Sequence, residues 1–197
     1  MAPSWFDEFD EFDERARVRR NPAYVGYHGS PGPVEAFDLD HMDRKLLCGP
    51  GIYFTSDQEE AEVVYAKSEG YIYRCRVSIK RPLRIKGFTR LPPHYEIQTP
   101  VDAATAAVIH KAFSNLVNGR QKRNADWKRS LAALKRLGFD GTVVELDVRG
   151  GFSHHARGWY FYIVYSPEQV LSKTLVRDAD GPVRPKKIPA RGARRRR

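Results

Sequence analysis

Residues 71–79 alternate well, with Tyr71, Tyr73, Cys75, Val77 and Ile79 on one parity and Arg74, Arg76 and Ser78 largely filling the other. Successive side chains of a strand point to opposite faces, so this period of two specifies a strand with one buried face. Other short runs read the same way: 23–27, 52–55, 82–85, 142–146 and 159–165, the last the richest in aromatic and β-branched residues. Helical patterns lie between them. Ser56 or Asp57 can cap a helix running through Lys67, with Glu59 and Glu60 in its first turn. Residues 102–117 form a second helix. Residues 126–137 form a third, with Trp127, Leu131, Leu134 and Leu137 at helical spacing and Gly138 as a stop. Strands and helices interleave, which makes the fold class α+β.

Three parts are expected: an N-terminal charged and aromatic segment at 1–21, one domain at 22–178 and a disordered basic tail at 179–197. With 41% hydrophobic residues the 197-residue chain can bury a single core. The first segment repeats Phe6-Asp7-Glu8, Phe9-Asp10-Glu11 and Phe12-Asp13-Glu14, then turns basic at Arg15, Arg17, Arg19 and Arg20. It reads as an end that packs on its own domain or frays, in preference to a helix that docks on a partner. The net charge is +10, and eight cations, Arg184, Lys186, Lys187, Arg191, Arg194, Arg195, Arg196 and Arg197, lie in an acid-free stretch at the end. Such a stretch can neutralise phosphates without reading sequence, with a log–log salt slope of about −7 if all engage duplex DNA. The alternative is a solvated end that keeps the chain soluble. No apolar run spans a membrane, and no secretory signal is visible. Cys48 and Cys75 are too few for a disulfide framework or a zinc site, and a reducing, cytoplasmic setting is expected.

Three segments carry the chemistry. The first is Tyr27-His28-Gly29-Ser30, read as a strand end ahead of the Pro31-Gly32-Pro33 turn. The second is Gly49-Pro50-Gly51-Ile52-Tyr53-Phe54-Thr55, with a following helix that carries Tyr65. The third is Tyr162-Ile163-Val164-Tyr165, followed by Gln169-Val170. In this order the chain resembles ADP-ribosyltransferases of the diphtheria-toxin and poly(ADP-ribose) polymerase branch, and most closely the small domains of phage and mobile-element polyvalent proteins. The resemblance covers residues 22–176 and implies a split sheet of short strands with flanking helices. It implies NAD as substrate, a protein or nucleic-acid acceptor, and a phage-encoded or virion-associated chain.

The residue types suit that substrate. Nicotinamide in NAD is a flat aromatic cation, and the rings of Tyr53 and Tyr65 can flank it through stacking and cation–π attraction. Gly29 permits close backbone approach to the amide. The resemblance gives His28 a ribose hydroxyl, and Ser30 a further polar contact. The candidate NAD-binding residues are therefore His28, Gly29, Ser30, Tyr53 and Tyr65.

Transfer creates an oxocarbenium-like ribose, which the family stabilises with a Glu just before the Tyr-Ile-Val-Tyr strand. Here Phe161 holds that place, after Trp159 and Tyr160. Glu168, beyond the strand, joins His28 and Tyr53 as the candidate catalytic set, and Glu145 on a neighbouring strand is a second displaced carboxylate. Without either, the readings are mono-ADP-ribosyl transfer in which the acceptor supplies the carboxylate, or a degenerate fold that acts as a nucleic-acid-tethered binding module. Poly(ADP-ribose) synthesis is not expected. An RNA 2′-phosphotransferase relative lacks convincing motifs. No Walker loop or Gly-x-Gly-x-x-Gly turn occurs, and His154-His155 near Arg157 lacks a third ligand, so no metal is assigned.

Overall fold

The computed structural model describes residues 23–40, 49–67, 69–87, 95–117, 124–146, 159–178 and 181–182. The strands are β1 (Ala23–Ser30), β2 (Ile52–Thr55), β3 (Tyr71–Ser78), β4 (Pro82–Lys86), β5 (Glu96–Ile97), β6 (Gly141–Leu146), β7 (Trp159–Val164), β8 (Val170–Asp178) and β9 (Gly181–Pro182). They form one hydrogen-bonded sheet in the order β5-β4-β6-β7-β2-β1-β3-β8-β9. The β4–β6 pair is parallel and the other described pairs are antiparallel.

This sheet has a weak seam. β1 is matched to β3 along its whole length, from Ala23↔Ser78 to Ser30↔Tyr71. β2 is matched to β7 from Ile52↔Val164 to Thr55↔Phe161. Between β1 and β2, however, a single register pair joins the strands, Tyr27↔Thr55. The sheet is thus two wings joined weakly between β1 and β2, in keeping with the split sheet that the resemblance implies. The wings cross tightly where they touch, since a Cβ on Gly26 would stand 2.9 Å from the Phe54 Cβ.

The helices cover one face. α1 (Gln58–Glu60) passes directly into a π-helical turn at Ala61–Tyr65; α2 is Ala103–Val117 and α3 is Asn124–Arg136. Ile109, Ala112 and Phe113 of α2 and Trp127, Leu131 and Leu134 of α3 pack on Leu83, Ile85, Val144, Phe161 and Ile163 of the sheet. The helical spacing of three and four gathers each apolar set into a stripe. Each fully buried Leu, Ile or Phe contributes roughly 1.5–3 kcal/mol. Strand alternation sends Ile52, Phe54, Val143 and Val164 to the reverse face, where they meet Tyr73, Cys75 and Val77 across the split. Burial pushes the Cys75 thiol up to about 12, so it is an inert core group and not a nucleophile.

Three expectations need correction. His28, Gly29 and Ser30 do not follow a strand but belong to it, because pairing with β3 continues to Ser30. The helix expected through Lys67 is only α1 plus the π turn, and Lys67 adopts a left-handed φ of 52°. Asp57, rather than Ser56, is its cap, accepting from the backbone of Glu59 at 2.8 Å and of Glu60 at 3.3 Å. β8 was not anticipated, and β9 pairs with its end at 181–182, inside the stretch expected to be disordered. The segment 1–21, Cys48, His154-His155 and the eight tail cations lie outside the described residues. Among the described residues no helix is long and apolar enough to cross a membrane, and no group of three metal-ligating side chains occurs.

Candidate functional site

His28 bridges the split. Its Nδ1 lies 2.8 Å from the backbone oxygen of Tyr53 on β2, beside the lone β1–β2 register pair. A carbonyl only accepts, so Nδ1 carries the proton and donates. Burial holds the imidazole below its usual pKa; the bond to Tyr53 pulls the other way, and the charge of Lys173 adds to the lowering. The ring is therefore neutral near pH 7 and presents Nε2 as an acceptor, to which a hydroxyl would donate.

The ring is fixed by aromatic neighbours. Phe37 meets it edge-on at 5.0 Å between centroids, and Phe54 lies at 5.7 Å. Phe37 is carried by the 31–40 loop, which Lys173 of β8 ties down. The Lys173 ammonium donates to the Val34 carbonyl and, at 2.7 Å, to that of Glu35. It also sits over the rings of Phe37 and Tyr73, at 5.8 Å and 5.2 Å. The Tyr73 hydroxyl accepts from the Val34 amide at 2.9 Å. No strand pattern in the sequence marks Lys173 or Phe37 as part of the site.

Tyr53 and Tyr65 converge on Phe161. Phe161 stands opposite Thr55 in the β2–β7 register, on the same sheet face as Tyr53 and diagonal to it. Its ring meets Tyr53 at 5.9 Å with planes 66° apart, and Tyr65 at 6.3 Å with planes 83° apart. Both are the edge-to-face geometry that aromatic quadrupoles favour. Phe161 is buried, whereas both tyrosines are half-exposed. The Tyr53 hydroxyl donates to the Gly49 carbonyl at 2.5 Å, which anchors the ring over the glycine turn that precedes β2.

Tyr65 ends the π turn, a feature often found at functional sites. The turn closes with the Ala66 amide donating to the Ala61 carbonyl at 3.0 Å. Gly29 gives it room: a Cβ there would stand 2.1 Å from the Ala61 oxygen. The missing side chain of Gly29 is thus used by the protein's own backbone. The buried Arg177 of β8 grips the turn from outside, pairing with Glu62 and donating to the Gly70 carbonyl at 3.2 Å. The Ser30 hydroxyl accepts from the Gly32 amide at 3.4 Å and so belongs to the turn after β1.

The two displaced carboxylates are not brought to this cluster. Glu168 is exposed on the 3-10 turn Pro167–Gln169, past the end of β7 remote from Phe161. Gln169 beside it is a clamp: its Oε1 accepts from the amides of Tyr165 and Ser166, each at 2.9 Å, and its Nε2 donates to the Ser78 carbonyl at 2.8 Å. Glu145 is opposite Tyr160, not Phe161, so alternation turns it to the other sheet face, where it pairs with Lys86 at 3.7 Å. Two open concavities lie elsewhere. One of about 500 Å³ is lined by Arg81, Thr99, Asp102 and Leu137 among others. One of about 430 Å³ is lined by Asp40, Trp127, Lys128 and Pro167 among others. Neither includes His28, Tyr53 or Tyr65, and the chemistry of those three outweighs the size of the hollows.

A family model described as ADP-Ribosyltransferase in polyvalent proteins matches residues 21–175, a span that contains β1 through most of β8. No curated protein matches the chain significantly.

Proposed function

The chain belongs to the ADP-ribosyltransferases of polyvalent proteins, and from that membership we propose that it is an NAD-dependent mono-ADP-ribosyltransferase acting on a protein or nucleic-acid acceptor. The observation that carries this reading is the juxtaposition of Tyr53 and Tyr65 around Phe161; His28 joins it through the Tyr53 backbone carbonyl, while its ring packs on Phe37 and Phe54 of the reverse face. Two half-exposed phenol rings offer faces to a cationic nicotinamide. The neutral His28 offers Nε2 to a ribose hydroxyl, and the Tyr53 backbone fixes its tautomer. Such preorganisation orients the sugar before reaction.

In the reaction the bond between the ribose C1′ and the nicotinamide nitrogen breaks, and nicotinamide leaves with the bonding pair. The acceptor forms a new bond to C1′ and gives up its proton. Phe161 occupies the position from which the family's Glu stabilises the cationic sugar. The carboxylate then comes from the acceptor or its surroundings, and this favours single transfer over chain elongation. Glu168 could serve only after a rearrangement that carried it from the far end of β7.

The test uses the full-length chain, NAD labelled in its adenylate half, and protein and nucleic-acid acceptors. Nicotinamide release and label transfer are expected together, and His28→Ala and Tyr53→Ala abolish both. Failure to bind or consume NAD with any acceptor rejects the enzyme. Phe161 also favours a second reading, a catalytically degenerate fold tethered to nucleic acid through Arg184, Lys186, Lys187, Arg191 and Arg194 to Arg197. That reading expects salt-sensitive binding which survives His28→Ala and is lost when those cations are removed.

A further inference from the structure

The sheet face away from α2 and α3 carries a row of three tyrosines. Tyr24 of β1 stacks on Tyr162 of β7, with centroids 4.7 Å apart and planes at 28°. Tyr160, two residues along the same strand and face, is parallel to Tyr162 within 4° at 6.4 Å. Leu83, Ile85, Val144, Phe161 and Ile163 point to the helices, so alternation sends Arg84, Lys86, Glu145, Tyr160 and Tyr162 to the reverse face, where they flank the core of Phe54 and Val143 on which Tyr24 and Tyr162 pack. The strand register sets them in two rows, Lys86–Glu145–Tyr160 and Arg84–Val143–Tyr162. The Arg84 guanidinium reaches the Tyr24 hydroxyl at 3.5 Å.

Single exposed apolar groups are ordinary on a protein surface; here three rings stack in succession and the stack ends at an exposed one. Tyr24 and Tyr162 are half-buried and back the row, while Tyr160 is 37% exposed. The charge is cationic. In these two rows the carboxylate, Glu145, is already paired with Lys86, and Arg84 has no acidic partner among the described residues.

We propose that the exposed end of this tyrosine stack, Tyr160, takes an unpaired nucleobase, so that this edge of the reverse sheet face binds single-stranded nucleic acid. Tyr160 supplies the free π face, since Tyr162 stacks between Tyr24 and Tyr160, and Arg84 and Lys86 attract the phosphates on either side of the base. Every base has a π face, so such binding tolerates sequence. A duplex keeps its bases stacked on one another and cannot use the row. The eight tail cations add attraction for phosphate but do not discriminate single strands from duplex. The proposal is independent of whether NAD is cleaved.

The experiment measures fluorescence anisotropy of a labelled oligothymidine of about 16 nucleotides, a generous site size for one domain, with the full-length chain. Tyr160→Ala weakens binding about tenfold, as loss of one base–aromatic stack does. Tyr160→Trp retains or tightens it, which separates stacking from loss of fold. Arg84→Ala weakens binding less and lowers the salt slope by about 1. A duplex of equal length competes poorly. Equal affinity of Tyr160→Ala and wild type, equal competition by duplex, or no binding of the single strand would each overturn the proposal.

Discussion

Phe161 and Tyr53 face each other diagonally across the β2–β7 pair, with ring centroids 5.9 Å apart and planes at 66°. On the proposed function, the position from which a carboxylate would address the ribose is an aromatic wedge, held from the other side by Tyr65 at 6.3 Å. The wedge supports both tyrosine rings, and on that same reading it also removes the charge that would speed the chemistry. Two substitutions separate these effects. Phe161→Ala lowers stability by about 3–5 kcal/mol in urea unfolding, the ordinary cost of deleting a buried Phe. Folded Phe161→Glu releases nicotinamide from NAD about a hundredfold faster than wild type, because one placed electrostatic group is worth that much. A folded variant with wild-type release would show that the missing carboxylate does not limit the reaction.

His28 predicts a pH dependence of stability. Burial depresses its folded pKa below the ordinary imidazole value of 6.5. The unfolded chain therefore takes up the proton first as pH falls. Stability attributable to His28 is intact above about 6.5 and is lost as pH drops toward the folded value. Urea midpoints measured between about pH 7.5 and 5 should fall more steeply for wild type than for His28→Asn. Lys173→Met removes a positive charge that lowers this pKa, so the His28 ring proton, followed by NMR, should titrate at higher pH than in wild type. A titration unmoved by Lys173→Met would mean that the charge is screened.

The alternation of 71–79 was readable because β3 buries Tyr73, Cys75 and Val77 on one face and exposes Arg74 and Arg76 on the other, where Ile72 alone is buried, and the short strand at 52–55 was bounded by glycine and serine signals. β8 escaped notice for the opposite reason. Leu171, Ser172, Lys173 and Thr174 are exposed in succession, so its hydrophobic pattern carries no period. The turn residues Pro31-Gly32-Pro33 pulled the expected end of β1 back to Tyr27, whereas long-range pairing with β3 carries it to Ser30. Tyr53 and Tyr65 could be picked out by motif. The wedge role of Phe161 could not, since it depends on a diagonal contact across strands 108 residues apart in sequence. Lys173 is still harder to see, holding the Val34 carbonyl from 139 residues away.

The Glu62–Arg177 pair gives an asymmetric prediction. The Arg177 side chain is 10% exposed and that of Glu62 is 39% exposed. Removing Glu62 strands a buried guanidinium whose Nε already lacks a partner, whereas removing Arg177 leaves a carboxylate that water can reach. Glu62→Ala should therefore cost about 2–4 kcal/mol, near the range for breaking a buried pair. Arg177→Met should cost about 1 kcal/mol less or better, because Met refills part of the volume. Equilibrium unfolding of both variants checks the order. The reverse order would mean that Arg177 stabilises the fold mainly through the Gly70 carbonyl.

The sharpest steric test is at Gly29, where β1 passes over the π turn. A Cβ built there stands 2.1 Å from the Ala61 oxygen, 2.8 Å from the Tyr65 Cβ and 2.9 Å from the Ala66 nitrogen. Two of these are backbone atoms, and the Ala61 oxygen already accepts the bond that closes the π turn. Relief therefore requires the turn to move as a unit, which shifts Tyr65 away from Phe161. Gly29→Ala should cost about 3 kcal/mol, the upper part of the range for overpacking, and should weaken NAD binding by the surviving folded protein. Gly32 is three residues along the same chain, and a Cβ there meets nothing within 4 Å. Gly32→Ala should stay within about 0.5 kcal/mol of wild type. Thermal unfolding and NAD titration of the two variants, side by side, separate a steric requirement at one glycine from a general preference for glycine in this segment. Equal behaviour of the two would mean that the π turn yields easily and does not position Tyr65.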